Sequence, residues 1–411
     1  MTVTSRPTTD PPVGERADQT GRTDWHGFIR LARLRFLLYN LLPVGLAVAV
    51  SVHQGYPLHL GWYVLAQLFA WTVHLMTHYC NEYFDLAADR ANVYFTPWTG
   101  GSRALVDGLV PPVVALGTAF VLAAVAQLMI VAMPDWPTRL AATAAVVLAW
   151  FYTAPPGRFN YRGLGEVTVA AILNGLWPIV AVLLQTGTVP VLLLVVLAPT
   201  ALLQTVRMMV MNLGDRRSDK QVGKRTIPVI IGYGRAVRVI VTAQPVAYAA
   251  LTGSALAGWV PWLVWAPMTA TAAISGWLVL RLCRGDMRDL DPRRMTPVVF
   301  WASNHVSLIV GAAMLGVLLD AARTGADGGA LEIVVAGRDE QKCREGRAQD
   351  DLTHVSLPLE GSALPGCAVQ SDFWFEKETG CPPGRFHGPA EIRFSCRALP
   401  RATISGGGRP P

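Results

Sequence analysis

The sequence predicts an all-α, polytopic membrane protein with about nine transmembrane helices around a central cavity. Apolar residues make up 52% of the chain and charged residues only 15%. The mean hydropathy of +0.35 is high for a water-soluble globular protein. Apolar runs long enough to cross a bilayer also recur along the chain. They lie near residues 31–51, 60–80, 111–133, 138–155, 164–186, 189–211, 236–257, 259–282 and 296–320.

The loops between these runs alternate in positive charge. Basic residues concentrate before the first run and after the second, fourth, sixth and eighth, and the richest loop covers 216–238. The remaining loops carry only Arg139, at one edge. Because cytoplasmic loops are enriched in Lys and Arg, the pattern predicts a plasma-membrane protein with a cytoplasmic N-terminus. An odd number of spans then puts the C-terminus outside. This topology explains the net charge of +7 better than nucleic-acid binding does.

The two ends of the chain differ from its middle. Residues 1–24 are rich in Thr, Pro and Arg and lack an apolar segment, which predicts a disordered cytoplasmic leader and no signal peptide. Residues 25–322 form the predicted transmembrane domain. Residues 323–411 hold no spanning run, and we expect a disordered tail without a role in chemistry. If exported, its four cysteines could pair in three ways. They are Cys343, Cys367, Cys381 and Cys396.

Two short polar motifs each follow a long apolar run, the second run and the sixth. We call them the first ladder (Asn81, Asp85 and Asp89) and the second ladder (Asn212, Asp215 and Asp219). Their spacings, i, i+4, i+8 and i, i+3, i+7, place each set on one face of a continuing helix. Such oxygens suit Mg²⁺, which proteins usually hold with one or two carboxylates plus substrate phosphates. We therefore predict all six residues as metal ligands and the four aspartates as catalytic.

The two ladders resemble the paired Asp-rich motifs of the UbiA superfamily of membrane prenyltransferases. The second ladder continues into Gly223-Lys224-Arg225-Thr226, in the manner of the family's second motif. Three further segments resemble the menaquinone-pathway branch, which prenylates dihydroxynaphthoate. They are Gly101-Ser102-Arg103, Tyr152-Thr153 and Gly163-Leu164-Gly165-Glu166. The resemblance covers about residues 25–320.

The resemblance implies the reaction. A prenyl group would move from an allylic prenyl diphosphate to an aromatic, quinone-precursor-like acceptor, while Mg²⁺ neutralises the leaving diphosphate. Two features depart from the family pattern: Glu82, where Asp is usual, and the segment 95–98, which differs from the menaquinone branch. These departures bear on which acceptor is used more than on the reaction itself. Basic residues near the ladders are the candidate diphosphate contacts. They are Arg103, Lys220, Lys224 and Arg225.

Three further residues are candidates on the substrate side. Tyr152 could face the allylic cation, because aromatic faces attract cations. Glu166, next to Gly163 and Gly165 of the branch-like segment, is a candidate acceptor-side base. His78 stands one turn after His74 and is expected to line a polar cavity or orient the acceptor, since ionisable groups in membranes usually face an interior site. Each also has a structural interpretation: an interfacial aromatic, a helix cap or a core polar residue.

Two other functions stay open on the sequence alone. A terpene cyclase on the same scaffold would share the metal site, and the substrate's own double bond would attack the cation without an acceptor. A cation-coupled transporter would carry acids near the bilayer midplane, whereas the ladder acids lie at run ends beside arginines. No glycine-rich nucleotide loop or G-x-S-x-G motif occurs in a strand-turn-helix setting, so nucleotide and serine-hydrolase sites are not predicted.

Overall fold

The computed structural model of the protein describes residues 23–325 and, beyond them, residues 333–334, 352–358, 370–376 and 393–395. The predicted leader therefore lies outside the described residues, and so does most of the predicted tail. The boundaries proposed for these two segments stay predictions.

The described part of the chain is almost entirely helical. Its helices are α1 (Trp25–Ala32), α2 (Leu38–His53), α3 (Leu60–Phe84), α4 (Leu86–Ala91), α5 (Pro112–Ala132), α6 (Trp136–Phe151), α7 (Gly165–Ala171), α8 (Trp177–Thr186), α9 (Val191–Gln221), α10 (Ile227–Ile231), α11 (Tyr233–Leu256), α12 (Trp262–Ala270), α13 (Ala272–Cys283) and α14 (Pro292–Gly325). Two 3₁₀ turns cover Leu34–Phe36 and Phe159–Tyr161, and a π-helical turn covers Ile172–Leu176.

Five short strands accompany the helices. Strands β1 (Leu58–His59) and β2 (Ile333–Val334) pair in parallel. Strands β3 (Leu352–Pro358), β4 (Gln370–Glu376) and β5 (Arg393–Ser395) form an antiparallel sheet in that order. Within residues 23–325 the only named strand is β1, of two residues, so the predicted all-α membrane class describes that part of the chain.

Seven helical segments of the described chain are long and apolar enough to cross a membrane. They are Trp25–His53, Pro112–Ala132, Gly165–Thr186, Val191–Gln221, Tyr233–Leu256, Trp262–Cys283 and Pro292–Thr324. The prediction of a polytopic helical membrane protein is confirmed, but the count of nine is not. The other two predicted runs fall on α3 and α6. Histidines and amides lower the hydropathy of α3, and α6 is only 16 residues long.

The packing of α9 positions everything that follows. This helix of 31 residues packs against α7, α11 and α14 within the bundle, and its last turns also meet the short helix α4. Because α4 directly follows α3, this contact brings the end of the second predicted run beside the end of the sixth. Two motifs separated by more than a hundred residues in sequence therefore share one end of the bundle.

The π-helical turn at Ile172–Leu176 interrupts the segment that joins α7 to α8. Such single turns widen a helix locally and occur often at functional sites. Here the turn carries Asn174, which is 2% exposed, toward the interior of the bundle. The same turn contacts α9, so the distortion introduces a buried amide beside the helix that carries the second ladder.

Candidate active site

A single ammonium group joins the two ladders. Lys224 Nζ lies 2.9 Å from Asp85 Oδ2 in the first ladder and 3.4 Å from Asp219 Oδ1 in the second. Asp85 is the residue at which α3 ends, and Asp219 lies in the last turn of α9. Both carboxylates are almost fully buried. The two motifs therefore form one acidic centre with a cation between them.

The turn after α9 folds Lys224 back onto this centre. Gly223 has a φ of +74°, a conformation that favours glycine, and the Lys224 amide then donates to Asp219 O at 2.8 Å. Burial alone would lower the pKa of Lys224, but the carboxylates of Asp85 and Asp219 outweigh it and raise the pKa well above its usual range. Lys224 is therefore a permanently charged cation in this position.

Two asparagines that the sequence analysis missed also tie the ladders to neighbouring loops. Asn92 Nδ2 donates to Asp215 Oδ1 at 2.8 Å, and Asn160 Nδ2 donates to Asp85 Oδ2 at 3.2 Å. Asn92 follows α4 and Asn160 lies in the 3₁₀ turn after α6. Their only signal in the sequence was an amide side chain in a basic loop, which is too common to identify a site.

Several buried oxygens in this centre lack a hydrogen-bond donor. Asn81 Oδ1, Asp85 Oδ1 and Asp219 Oδ2 are buried without partners. Leaving such atoms unpaired is costly, and hard oxygen donors are the ligands that Mg²⁺ takes. No group of three His, Cys, Asp or Glu residues within the described chain is close enough to hold a metal alone. These oxygen ligands therefore fit metal ions that are shared with substrate phosphates better than an ion bound by protein alone.

Asp89, the last member of the first ladder, lies against a glycine corner. Gly101 has a φ of +75°, and a Cβ built there would stand 2.2 Å from Asp89 Oδ2. Burial raises the pKa of Asp89 to about 8, and the nearby charge of Glu82 adds to the rise while Arg33 opposes it. The loop after α4 therefore fits closely over this carboxylate.

Arg103 holds the same loop in place. Its guanidinium donates to the backbone carbonyls of Asp89 and of Asn92, and it lies 4.7 Å from the ring centre of Phe95. Through these contacts Arg103 fixes the backbone at the end of the first ladder. Its predicted contact with diphosphate has no support in this geometry and stays a prediction.

Glu82, the departure from the family pattern, closes the loop from the other side. Its carboxylate accepts from the Arg33 guanidinium, from the Ser102 amide at 2.7 Å and from Ser102 Oγ at 2.8 Å. Glu82 is 2% exposed, so both oxygens are committed inside the protein. We call the segment 92–105, held by Glu82 and Arg103, the cap loop.

Glu166, predicted as an acceptor-side base, supports the second ladder. Its Oε1 accepts from Asn212 Nδ2 at 2.8 Å and from the Ile227 amide at 2.9 Å. The first bond fixes the amide of the ladder, and the second fixes the start of α10, three residues after Lys224. Its Oε2 is buried without a partner. The geometry favours a positioning role, and the role of a base stays a prediction.

The remaining predicted residues divide between the centre and its surroundings. Tyr152, at the end of α6, lies within electrostatic range of Lys224, Asp85 and Glu166. His78 Nδ1 forms a hydrogen bond with Ala32 O at 2.8 Å, which connects α3 to α1. This contact favours a structural role for His78 over a role in catalysis. Two of the predicted basic contacts, Lys220 and Arg225, are exposed.

The sequence of the chain matches one protein family along most of its length. The model of the UbiA prenyltransferase family matches residues 40–319. The chain belongs to the UbiA prenyltransferase family. The resemblance drawn from the two ladders is thereby confirmed, and the chain is an integral membrane protein of that family.

Individual relatives are distant. A 1,4-dihydroxy-2-naphthoate octaprenyltransferase from Bacillus subtilis is 24% identical over 205 residues, which cover 48% of this chain and 65% of the relative. The apo structure of a UbiA homologue from Aeropyrum pernix K1 is 15% identical, with a TM-score of 0.51 over 66% of this chain and 98% of that one. This likeness shows the fold. A UbiA homologue from Archaeoglobus fulgidus bound to GPP and Mg²⁺ is 16% identical, with a TM-score of 0.47 over 70% of this chain and 99% of that one.

Proposed function

We propose that the chain is a Mg²⁺-dependent membrane prenyltransferase, which moves a prenyl group from an allylic prenyl diphosphate to an aromatic, quinone-precursor-like acceptor. The observation that carries the proposal is the position of Lys224, which bridges Asp85 and Asp219 among buried oxygens that lack donors. Carboxylates paired with a fixed cation suit a metal-bound diphosphate. The family membership and the naphthoate-prenylating relative support the same reaction.

The metal ions would be held by the ladder residues, and their chemistry would be to neutralise charge on the leaving diphosphate. Asp85, Asp219 and Asn81 offer the free oxygens. Lys224, a compact cation on a flexible stem, would bind a phosphate oxygen from the same centre. The side chains of Lys220 and Arg225 are exposed, and their contacts with the diphosphate stay predictions.

The protein's other groups would orient the substrates and exclude water. The cap loop covers the acidic centre, since Glu82 and Arg103 fix it on both sides. Tyr152 presents an aromatic ring near Lys224 and Asp85, where an allylic cation would form. The prenyl tail would lie along apolar helix faces. In the topology we propose, this centre faces the cytoplasm, the N-terminus lies on the same side and the C-terminus lies outside.

Product analysis of the purified protein tests the proposal. With Mg²⁺, a series of prenyl diphosphates and 1,4-dihydroxy-2-naphthoate, we expect a prenylated aromatic product that disappears when the metal is chelated. A cyclic hydrocarbon formed from prenyl diphosphate alone would instead identify a terpene cyclase. Unchanged product formation without a divalent metal would contradict the role assigned to the ladders.

A further inference from the structure

A buried arginine stands apart from the acidic centre, in the interior of the bundle. Arg207 lies on α9 and is 6% exposed. Its Nε donates to Ser303 Oγ at 3.3 Å, and its guanidinium lies 4.7 Å from the ring centre of Tyr39. No carboxylate in the described part of the chain pairs with it. A cation buried at this depth without an anion is costly and usually marks a functional site.

The groups around Arg207 make a small pocket, which we call the inner pocket. It lies between α2, the π-helical turn, α9 and α14. It is lined by Tyr39, Pro43, Leu173, Asn174, Gln204, Arg207, Ser303, Val306, Ser307 and Val310. Its lining combines the Arg207 guanidinium with amide, hydroxyl and phenol groups and with four apolar residues.

The inner pocket has an excess of hydrogen-bond donors. Asn174 Nδ2 and Gln204 Nε2 are buried without an acceptor, although both residues are 2% exposed. Together with the Arg207 cation, these donors lack an anion with several acceptor oxygens. A carboxylate supplies two oxygens and one negative charge, and it matches a guanidinium in a two-pronged way.

The position of the inner pocket relates it to the acidic centre. Arg207 precedes Asn212 by five residues on the same helix, a separation of about 7.5 Å along its axis. Tyr152 lies within electrostatic range of Arg207 and also of Lys224. The inner pocket therefore lies on the same helix as the second ladder, about one and a half turns from Asn212.

We propose that Arg207, with Asn174 and Gln204, binds the carboxylate of an aromatic acid acceptor. This inference rests on the proposed function, because it assigns the acceptor end of the same reaction. It also explains why a cation without a paired acid lies inside the bundle.

The test compares two acceptors that differ only in the carboxylate, 1,4-dihydroxy-2-naphthoate and 1,4-dihydroxynaphthalene. Binding of each to the purified full-length protein is measured by fluorescence quenching, and prenyl transfer to each is measured by steady-state kinetics. The variants are Arg207→Gln, Arg207→Lys, and Arg238→Gln as a control. Arg238 is an exposed arginine on α11, so its loss removes the same charge outside the pocket.

We expect Arg207→Gln to weaken binding of the acid by at least about 10-fold, as for loss of a charge-assisted contact. Binding of the carboxylate-free ring should change little. Arg207→Lys should restore part of the affinity, and Arg238→Gln should behave as wild type. Equal losses for both acceptors, or no loss for the acid, would overturn the inference.

Three further outcomes distinguish this inference from the proposed function and from binding of a different ligand. If Arg207→Gln still prenylates 1,4-dihydroxynaphthalene while binding the acid poorly, both the inference and the proposed function stand. If wild-type protein binds the acid through Arg207 but transfers no prenyl group, the proposed function fails and the site remains. If glycerol 1-phosphate competes for Arg207 and the naphthoate does not, the pocket serves a phosphate-bearing ligand and the carboxylate assignment is wrong.

Discussion

Lys224 shows how one side chain can make two distant motifs into a single centre. Its ammonium contacts Asp85 and Asp219, whose like charges would otherwise repel one another. The lysine and the two carboxylates depend on one another, because removing one partner of a buried charge pair leaves the charge of the other uncompensated. In the function proposed above, Lys224 would therefore both stabilise the folded centre and bind a diphosphate oxygen.

Replacing Lys224 by Gln should lower kcat/KM for the prenyl diphosphate by about 10- to 100-fold, because a charge-assisted contact to phosphate is lost. The matched control is Arg235→Gln, which removes an exposed positive charge at the start of α11. Steady-state kinetics on proteins that elute as a single species provide the measurement. Equal kinetics in the two variants would remove Lys224 from the binding site.

Glu166 offers a clean choice between a base and a positioning residue. Its Oε1 accepts from Asn212 and from the Ile227 amide, and a glutamine carbonyl can accept both bonds. We expect Glu166→Gln to keep most of the activity and Glu166→Ala to lose it, with a raised requirement for Mg²⁺. Loss of acceptor turnover in Glu166→Gln at normal Mg²⁺ affinity would instead identify a base.

At the residue scale, the site residues were easiest to predict from the sequence where a pattern of charged residues repeated. The spacing of the two ladders predicted which carboxylates belong together, and Lys224 was singled out beside them. The spacing could not show that Glu82 and Arg103 hold the cap loop, because this depends on contacts between segments remote in sequence. Asn92 and Asn160 were not predicted for the same reason, because a single amide in a loop forms no repeated spacing that would mark it as a site residue.

At the scale of elements, the cap loop depends on one glycine. Gly101 and Gly258 both have a positive φ, so alanine at either position costs about 1–2 kcal/mol of backbone strain. They differ in surroundings: a Cβ at Gly101 meets Asp89 Oδ2 at 2.2 Å, whereas nothing lies within 4 Å of one at Gly258.

Gly101→Ala should therefore lower prenyl transfer by about 10-fold or more, since small displacements of a catalytic group are costly. Gly258→Ala, with the same strain in the turn after α11, should keep its turnover. Thermal unfolding in detergent would show whether the two variants lose comparable stability. If both retain full activity, the contact between the cap loop and Asp89 is not required.

Helices were predicted better than their interruptions. Long apolar runs marked the bundle, but hydropathy carries no signal for a π-helical turn at Ile172–Leu176 or for the break between α12 and α13 at Thr271. The count of nine spans is not confirmed at α3 and α6, because polar side chains lower the hydropathy of α3 and α6 is only 16 residues long. The contact between α4 and α9, which builds the site, is a tertiary feature with no local signal.

At the scale of the whole molecule, the tail beyond the last helix should be dispensable. Truncation after Arg323 preserves α14 almost completely, together with the pair between His53 Nε2 and Asp320 Oδ2 at 2.9 Å. We expect the truncated protein to insert and to retain most of its prenyl transfer in membranes. Loss of activity in a correctly inserted truncation would show that the tail takes part.

The truncated chain also allows a direct test of topology. It retains two cysteines, Cys80, which is buried, and Cys283, which is exposed beside Arg281 and Arg284. The positive-inside rule places Cys283 in the cytoplasm. A membrane-impermeant maleimide should label it in inverted vesicles and not in intact cells, with Cys283→Ser as the unlabelled control. Labelling from the outside of intact cells would reverse the proposed orientation.

The central claim is that the two ladders form one catalytic site. A double-mutant cycle on Asp85→Asn and Asp219→Asn measures this directly, because residues that act as a unit are strongly non-additive. Each single variant should lower Mg²⁺-dependent turnover by orders of magnitude, and the double variant should be little worse than either. Multiplied losses in the double variant, or near-normal turnover in either single variant, would show that the ladders act separately and contradict the shared site.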